Sequence, residues 1–375
     1  MKLGKIYLNK NFVFMMIAFF IISYFSINSA TKLLPSFYKN LPFKQTLWYI
    51  LGFGSLLFIM YIKNEKLLEN IWLLYIVGNV LLIGLLLFAP RINDAKCWFF
   101  IPGIGGIQPS EFMKIILILL ISVKINNFHQ KYPYPTIKQE FMFLINILFL
   151  VAIPSVLTFL QPDTGVVLIY LIITFFMLFI SGIRYQWFLL LFVLIIILVA
   201  LLLGFYFFYQ EQFVNVFGSS FFLRIDRLLN WSNSSGYQLE NGRSAIGAGG
   251  LFGYGFNNTP IYFPEPQTDF IFATYASNTG FIGSTILIIL IICFDISLIL
   301  VALKSKKLIN KYIIAGIIGM LIYQQIQNIS MTIGLMPITG LTLPFISYGG
   351  SSLLSYFIVM AIVFNISNEQ MQKNK

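Results

Sequence analysis

Ten apolar runs divide the chain, near 12–29, 46–62, 69–89, 109–125, 141–160, 164–183, 187–209, 270–302, 312–333 and 351–367. Short polar segments holding lysine, asparagine, proline or glycine separate most of them. Runs such as "FVFMMIAFFIISYFSI" and "WFLLLFVLIIILVALLLGFYFF" are long enough to cross a hydrocarbon core of ~30 Å at ~1.5 Å per residue. The pattern predicts an all-α polytopic membrane protein of about ten transmembrane helices. The short alternating segments of a transmembrane β-barrel are not seen. One connection is long, about 210–268, between spans 7 and 8. The whole chain, 1–375, reads as a single integral-membrane domain without an internal repeat, which argues against an inverted-repeat transporter.

Composition supports this reading. Hydrophobic residues make up 58% of the chain and charged residues only 10%, against roughly a quarter charged in a soluble domain. The formal charge of +11 does not point to nucleic acid, because the basic residues fall in small clusters between apolar runs. With the N-terminus inside, Lys2, Lys5, Lys10, Lys63, Lys66, Lys124, Lys131, Lys138, Arg184, Lys304, Lys306, Lys307, Lys311, Lys373 and Lys375 all lie on the inner side. The positive-inside bias therefore predicts two cytoplasmic termini and an extracellular long loop. The first run follows lysines but shows no convincing cleavage site, so it is expected to stay as a span. Cys97 and Cys293 have neither disulfide nor metal spacing. His129, alone in a polar loop, reads as solvated.

The long loop is too apolar in "FVNVFGSSFFLRIDRLLNW" to stay solvated. It is expected to lie on the membrane as an amphipathic segment and fold over the bundle. It holds Arg224, Arg227, Arg243, Glu265 and, at its end, Asp269.

Five places break the apolar pattern. In "QPSEFMK", Pro109 fits the first helical position, and Glu111 and Lys114 lie three apart on one face about a turn inside the helix. An ionisable pair in a span is costly to desolvate and is functional by default. In "QPDTG", Asp163 either caps span 6 or lines a site. The glycines of "AIGAGGLFGYG" allow close backbone approach; the segment lacks the Lys-Ser/Thr ending of a nucleotide-binding P-loop. "LMPITGLTLPFISYGGSSLL" puts irregular backbone between spans 9 and 10, so Ser347 and Ser351 are expected in a cavity wall. The fifth is "YFPEPQTDFIFA". A straight helix from 270 to 302 would be about 50 Å long, so its first turns must bend or project. Asp269 is thereby expected at the outer surface, held ionised by the helix dipole and suited to act as a general base.

"QPSEFMK", "QPDTG", "AIGAGGLFGYG", "FPEPQTDFIFA", "GFIG" and "GLTLPFISYGGSSLL" stand in the order found in the SEDS family, the RodA/FtsW-type peptidoglycan glycosyltransferases, which this chain resembles. The resemblance implies ten spans and polymerisation of lipid II on the outer face of the bacterial cytoplasmic membrane, with a class B penicillin-binding protein as transpeptidase partner. It places the family's essential acid on Asp269 and its Glu–Lys pair on Glu111 and Lys114. The departing diphosphate calls for Lys, Arg or a divalent cation, magnesium or manganese, with Lys114, Arg224, Arg227, Arg243 and Lys96 as the available cations for substrate binding. Glu265, Asp163, Ser347 and Ser351 complete the expected site. The chain departs from the family pattern at Asp94 and Cys97, at Tyr254 where a lysine is usual, at Gln267 where a histidine is usual, and at Ser277 and Asn278 where two acids are common. Two other readings stay open on the sequence: a transporter of lipid-linked precursor, and a catalytically silent scaffold of a cell-wall synthase.

Overall fold

The computed structural model describes residues 2–3, 6–91, 96–101, 105–219, 222, 225–226, 229 and 236–373. Two short antiparallel hairpins are the strands among them: β1 (Lys2–Leu3) with β2 (Ile6–Tyr7), and β3 (Phe99–Ile101) with β4 (Gly105–Ile107). The rest is helical, as the apolar runs predict. In chain order come α1 (Lys10–Ala30), α2 (Leu41–Ile62), the short α3 (Asn64–Glu69), α4 (Ile71–Phe88), α5 (Pro109–Lys131), α6 (Ile137–Phe159), α7 (Thr164–Ile180) and α8 (Tyr185–Phe208). After the long connection come α11 (Ile271–Lys304), α12 (Leu308–Ile333) and α13 (Gly350–Lys373). Among the described residues nine helices are long and apolar enough to cross a membrane, and α7 is a shorter apolar helix. The protein is a multi-pass membrane protein.

Local chemistry sets the helix starts. Pro109 occupies the first position of α5, where its missing N–H costs nothing. Thr136 and Gln139 form a reciprocal capping box on α6. The side chain of Asp163 accepts the Val166 N–H to cap α7. Helices α5 and α6 extend beyond the apolar runs, to Lys131 and back to Ile137, because polar side chains continue a helix once it leaves the hydrocarbon.

Burial sorts centre from rim. In α13, 83% of the most apolar window is buried in protein, in α12 67% and in α5 61%, but in α8 none. Helices α5, α12 and α13 are thus the core, and α8 faces lipid. Helix α12 lays Gly316 and Gly319 against Met177 and Phe176 of α7, the small-residue contact by which membrane helices approach closely. At the end of the bundle that holds both termini, Lys307 bridges Glu369 (2.9 Å) and Glu65 (3.5 Å). Asn365 donates to Asn64 (3.0 Å), which donates in turn to the Ile362 carbonyl (3.0 Å).

The long connection folds back on the opposite end. It opens with α9 (Gln210–Phe217), where Phe213 is buried with Tyr206 and Ile225. It then forms α10 (Tyr237–Ala248), which packs on α11 and α12. Arg224, Arg227 and Asp94 lie outside the described residues.

The expected bend in α11 is at Gly280, whose backbone is left-handed at φ 65° inside an otherwise continuous helix. A Cβ there would meet the backbone of Leu251 and Gly253 at about 2.5 Å. The Tyr254 and Gly255 N–H groups donate to the Ser277 and Asn278 carbonyls, and the Phe281 and Ile282 N–H groups donate back to Gly250 and Leu251. The glycine-rich segment therefore serves close backbone contact; its glycines admit the kink. Gly280→Ala combines a strained φ with a backbone clash, so it is expected to cost at least ~1–3 kcal/mol and lower the melting temperature of the detergent-solubilised protein. Gly54→Ala, with open space around it, is the matched control and should leave the melting temperature unchanged.

Candidate functional site

The stretch from Pro264 to Phe270 folds on itself. Glu265 adopts the left-handed region (φ 52°), which turns the chain sharply between two prolines. Its carbonyl accepts the Phe270 N–H (3.1 Å). Its carboxylate Oε2 accepts from the Gln267 Nε2 (2.9 Å) and the Thr268 Oγ1 (2.8 Å). The Thr274 hydroxyl, one turn into α11, donates to the Pro266 carbonyl (2.9 Å). The turn delivers Asp269 to the foot of α11 with Phe270 and Ile271 buried behind it.

Three successive carbonyls of this turn are held by groups far away in sequence. The Tyr348 N–H donates to Gln267 (2.8 Å), the Ser347 Oγ to Thr268 (2.7 Å), and the Asn328 Nδ2 to Asp269 (2.9 Å). Asn328 is fully buried on α12 and also donates to the Leu341 carbonyl (2.7 Å). Ser347 in turn accepts the Leu343 N–H (2.8 Å). The irregular segment between α12 and α13 thus clamps the backbone beneath Asp269 instead of lining a cavity with free hydroxyls. Gly340 in that segment lies beside the carboxylate, since a Cβ there would sit 3.6 Å from the Asp269 Oδ2.

Asp269 is half-buried. Burial pushes its carboxyl up to about 7, and the charge of Glu265 adds to the shift. The helix-dipole argument predicted a firmly ionised acid. Desolvation and a like charge outweigh the dipole here, and the resulting affinity for protons near neutrality suits a general base better. Arg243, exposed on α10, lies across Gly334 just past the end of α12: a Cβ on Gly334 would be 3.0 Å from its Cδ and 3.4 Å from its Nε.

A second network lies one helix inward. Lys114 Nζ is 2.7 Å from Glu111 Oε2, and both side chains are buried, Lys114 completely. The Ser355 hydroxyl donates to the same carboxylate (3.3 Å), and the ammonium lies 5.5 Å from the Tyr356 ring centroid. Lys114 is therefore enclosed and offers no open face to a ligand. Asp163 divides its oxygens between the cap of α7 and the Gln108 Nε2 (2.6 Å). Burial pushes its carboxyl up to about 6, with the Val166 N–H opposing and Glu111 adding. Ser351 accepts the Gln108 N–H (2.9 Å) and donates to the Gly106 carbonyl (3.0 Å), joining α13 to the β3–β4 hairpin.

The two networks meet across residues 339–341. On one side Gly165 of α7 abuts Thr339 and Leu341; on the other Asn328 ties Leu341 to Asp269. Asp269, Glu265, Ser347 and Arg243 therefore share one end of the bundle, with Glu111, Lys114, Asp163 and Ser351 beneath it.

Two of the positions that depart from the family pattern, Asn278 and Cys97, are absorbed structurally. Asn278 accepts from the Thr259 hydroxyl (2.9 Å) and donates to Ser29 (2.8 Å), tying the kink to the end of α1. Cys97 is buried and its thiol donates to the Gln161 carbonyl (3.1 Å); burial beside Asp163 pushes it up to about 12. Sequence reasoning missed Asn328, Gln108 and Ser355, which act on backbone or on another side chain. It also missed Asp295, buried on α11 with the Gln325 amide 3.2 Å from its carboxylate. A lone acid inside an apolar run was a sufficient signal for that residue.

The family model for FtsW, RodA and SpoVE, described as cell cycle protein, matches residues 6–372. Stage V sporulation protein E of Bacillus subtilis (strain 168) is 31% identical over 350 residues, covering 86% of this chain and 86% of its own. The probable peptidoglycan glycosyltransferase FtsW of Coxiella burnetii is 33% identical over 318 residues, covering 79% of this chain and 78% of its own. The fold is also that of solved structures. The rod shape determining protein RodA of Thermus thermophilus superposes with a TM-score of 0.68 at 24% identity, over 96% of each chain. A chain from a structure described as the structural coordination of polymerization and crosslinking by a peptidoglycan synthase complex gives 0.78 at 24% identity, over 97% of this chain and 98% of that one. By motif order, fold and a match over almost its whole length, the chain belongs to the FtsW/RodA/SpoVE family of cell cycle proteins.

Proposed function

We propose that this protein is a peptidoglycan glycosyltransferase that polymerises lipid II into glycan strands, with Asp269 as its general base. The observation that carries the reading is the half-buried Asp269 carboxylate, poised near neutrality, on a backbone held by three hydrogen bonds at one end of a membrane bundle. Relatives named as probable peptidoglycan glycosyltransferases support it. The lysine distribution supports placing the site end on the outer face and both termini in the cytoplasm; in this reading the membrane is the bacterial cytoplasmic one.

In this reading Asp269 takes the proton of an acceptor sugar hydroxyl. The freed oxygen forms a bond to the anomeric carbon of the donor. The bond from that carbon to the diphosphate oxygen breaks, and the electron pair leaves on the lipid-linked diphosphate. One carboxylate suffices, because the leaving group carries its own charge and needs no second acid. Arg243, exposed at this end beside Gly334, would meet the diphosphate, and Arg224 and Arg227 of the same loop are the further candidates. Glu111 and Lys114, enclosed as they are, support the floor beneath the site instead of touching substrate. Among the described residues no group of three or more His, Cys, Asp or Glu side chains could hold a metal. A magnesium or manganese ion would draw most of its ligands from the diphosphate and water, with Asp269 or Glu265 supplying a carboxylate. Such an ion would neutralise diphosphate charge; the steps above are assigned to the protein's own groups.

The partner in this reading is a class B penicillin-binding protein that crosslinks the product strands. The synthase complex to which the fold is similar, described as coordinating polymerization with crosslinking, supports that assignment. The substrate's prenyl tail would lie along the lipid-facing aromatic surface.

The purified protein with its partner is expected to convert lipid II to polymer, and Asp269→Asn to reduce the yield by ~10²–10⁴-fold. Unchanged yield would remove Asp269 from the role of base. Movement of lipid II across a liposome bilayer with no polymer formed would favour the transport reading.

The working base is the deprotonated carboxylate, so kcat/KM is expected to rise with pH through about 7 and level off above it. Glu265→Gln removes the second cause of the raised affinity, so the rising limb should move to lower pH. A limb that stays in place in that variant would show that the titrating group is not Asp269.

A further inference from the structure

An open cleft of about 460 Å³ lies at the other end of the bundle, between the end of α5 and the start of α6. On α5 it takes Lys124, Asn127, Phe128 and Lys131, spaced i, i+3, i+4 and i+7, which is one helical face. On α6 it takes Lys138, Gln139, Met142, Phe143 and Asn146, again one face. Phe128 and Phe143 stack between the helices with ring centroids 4.3 Å apart. The lining thus joins three ammonium groups, three side-chain amides and an apolar floor, with no carboxylate.

The nearby acid is committed elsewhere. Glu140 is buried and receives the Trp187 Nε1 (2.7 Å), with the Arg184 Nε at 3.7 Å. Among the described residues none of the three lysines carries an ion pair. The ammonium of Lys124 lies 4.7 Å from the centre of the Trp72 ring, and Trp72 stands at the start of α4. A tryptophan at a span boundary marks the headgroup level of a bilayer. Met142, largely exposed, opens the cavity toward lipid.

We propose that this cleft binds the phosphate of an anionic glycerophospholipid, with the acyl chains leaving past Met142. Lysines distributed only to set topology would be scattered over convex surface. Here three converge on one cavity with neutral donors between them, the arrangement by which basic clefts between membrane helices hold anionic headgroups. A soluble phosphate would have no use for the stacked Phe128–Phe143 floor or the opening to lipid. The site is separate from Asp269, with the length of α5, ~34 Å at ~1.5 Å per residue, between them, so the proposal does not depend on the glycosyltransferase reading.

Native mass spectrometry of the full-length protein, with phosphatidylglycerol or phosphatidylcholine added to the detergent, tests it. The wild type is expected to retain one phosphatidylglycerol. The triple variant K124Q/K131Q/K138Q should bind it at least about tenfold more weakly, with an unchanged melting temperature. K304Q/K306Q/K311Q, which removes the same charge from the same end of the bundle, should bind as the wild type does. The triple Lys→Arg variant of the cleft should also retain binding. Equal losses in both glutamine triples would reduce the effect to diffuse charge and overturn the proposal. Equal retention of phosphatidylcholine would make the cleft an apolar crevice only. Displacement of phosphatidylglycerol by millimolar inorganic phosphate would assign the cleft to a soluble anion instead.

Discussion

The site depends on three hydrogen bonds to consecutive backbone carbonyls. Gln267, Thr268 and Asp269 are held by the Tyr348 N–H, the Ser347 hydroxyl and the Asn328 amide. Each of these carbonyls is satisfied by the protein, so each lost partner would leave a part-buried acceptor unpaired. The clamp therefore fixes the backbone of the turn, and with it the depth at which the Asp269 carboxylate stands. That depth decides its chemistry. A more exposed acid would be ionised and weakly basic; at this depth it binds a proton near neutrality. The same contacts explain why the segment between α12 and α13 is irregular: it must present donors inward from positions that no regular helix could supply.

The polar groups beneath follow the same rule. Glu111 and Lys114 neutralise each other, Ser355 takes up a further lone pair, and Gln108 joins Asp163 to Ser351 through its side chain and its N–H. Each of these groups is partnered within the protein, which is what allows charge to sit there at all. The network is a rigid floor. In the proposed reading, substrate contact falls to the layer above it, to Asp269, Glu265 and Arg243.

Much of this was legible in the sequence. The spans were, because an unbroken apolar run of membrane length has few alternatives to a helix. The bend in α11 was, because the run was too long for the bilayer; its position at Gly280 was not, since that depends on Leu251 and Gly253 lying against it. Asp269, Glu111 and Lys114 were found from charges in apolar context and from motif order. Two things escaped. One is Asn328 together with the role of Ser347 as a backbone clamp: the two residues act on carbonyls 59 and 79 residues away, and no local pattern encodes a partner at that distance. The protonation of Asp269 escaped as well, because the helix dipole is visible in sequence while desolvation is a property of the packed neighbourhood.

The pH dependence of lipid II polymerisation by Asn328→Ala, beside that of the wild type, tests most directly whether the clamp sets the chemistry of Asp269. Releasing the Asp269 carbonyl should let the turn move toward water. The account predicts a lower plateau rate together with a rising limb displaced below about 7. A folded variant whose rate and limb both match the wild type would contradict it.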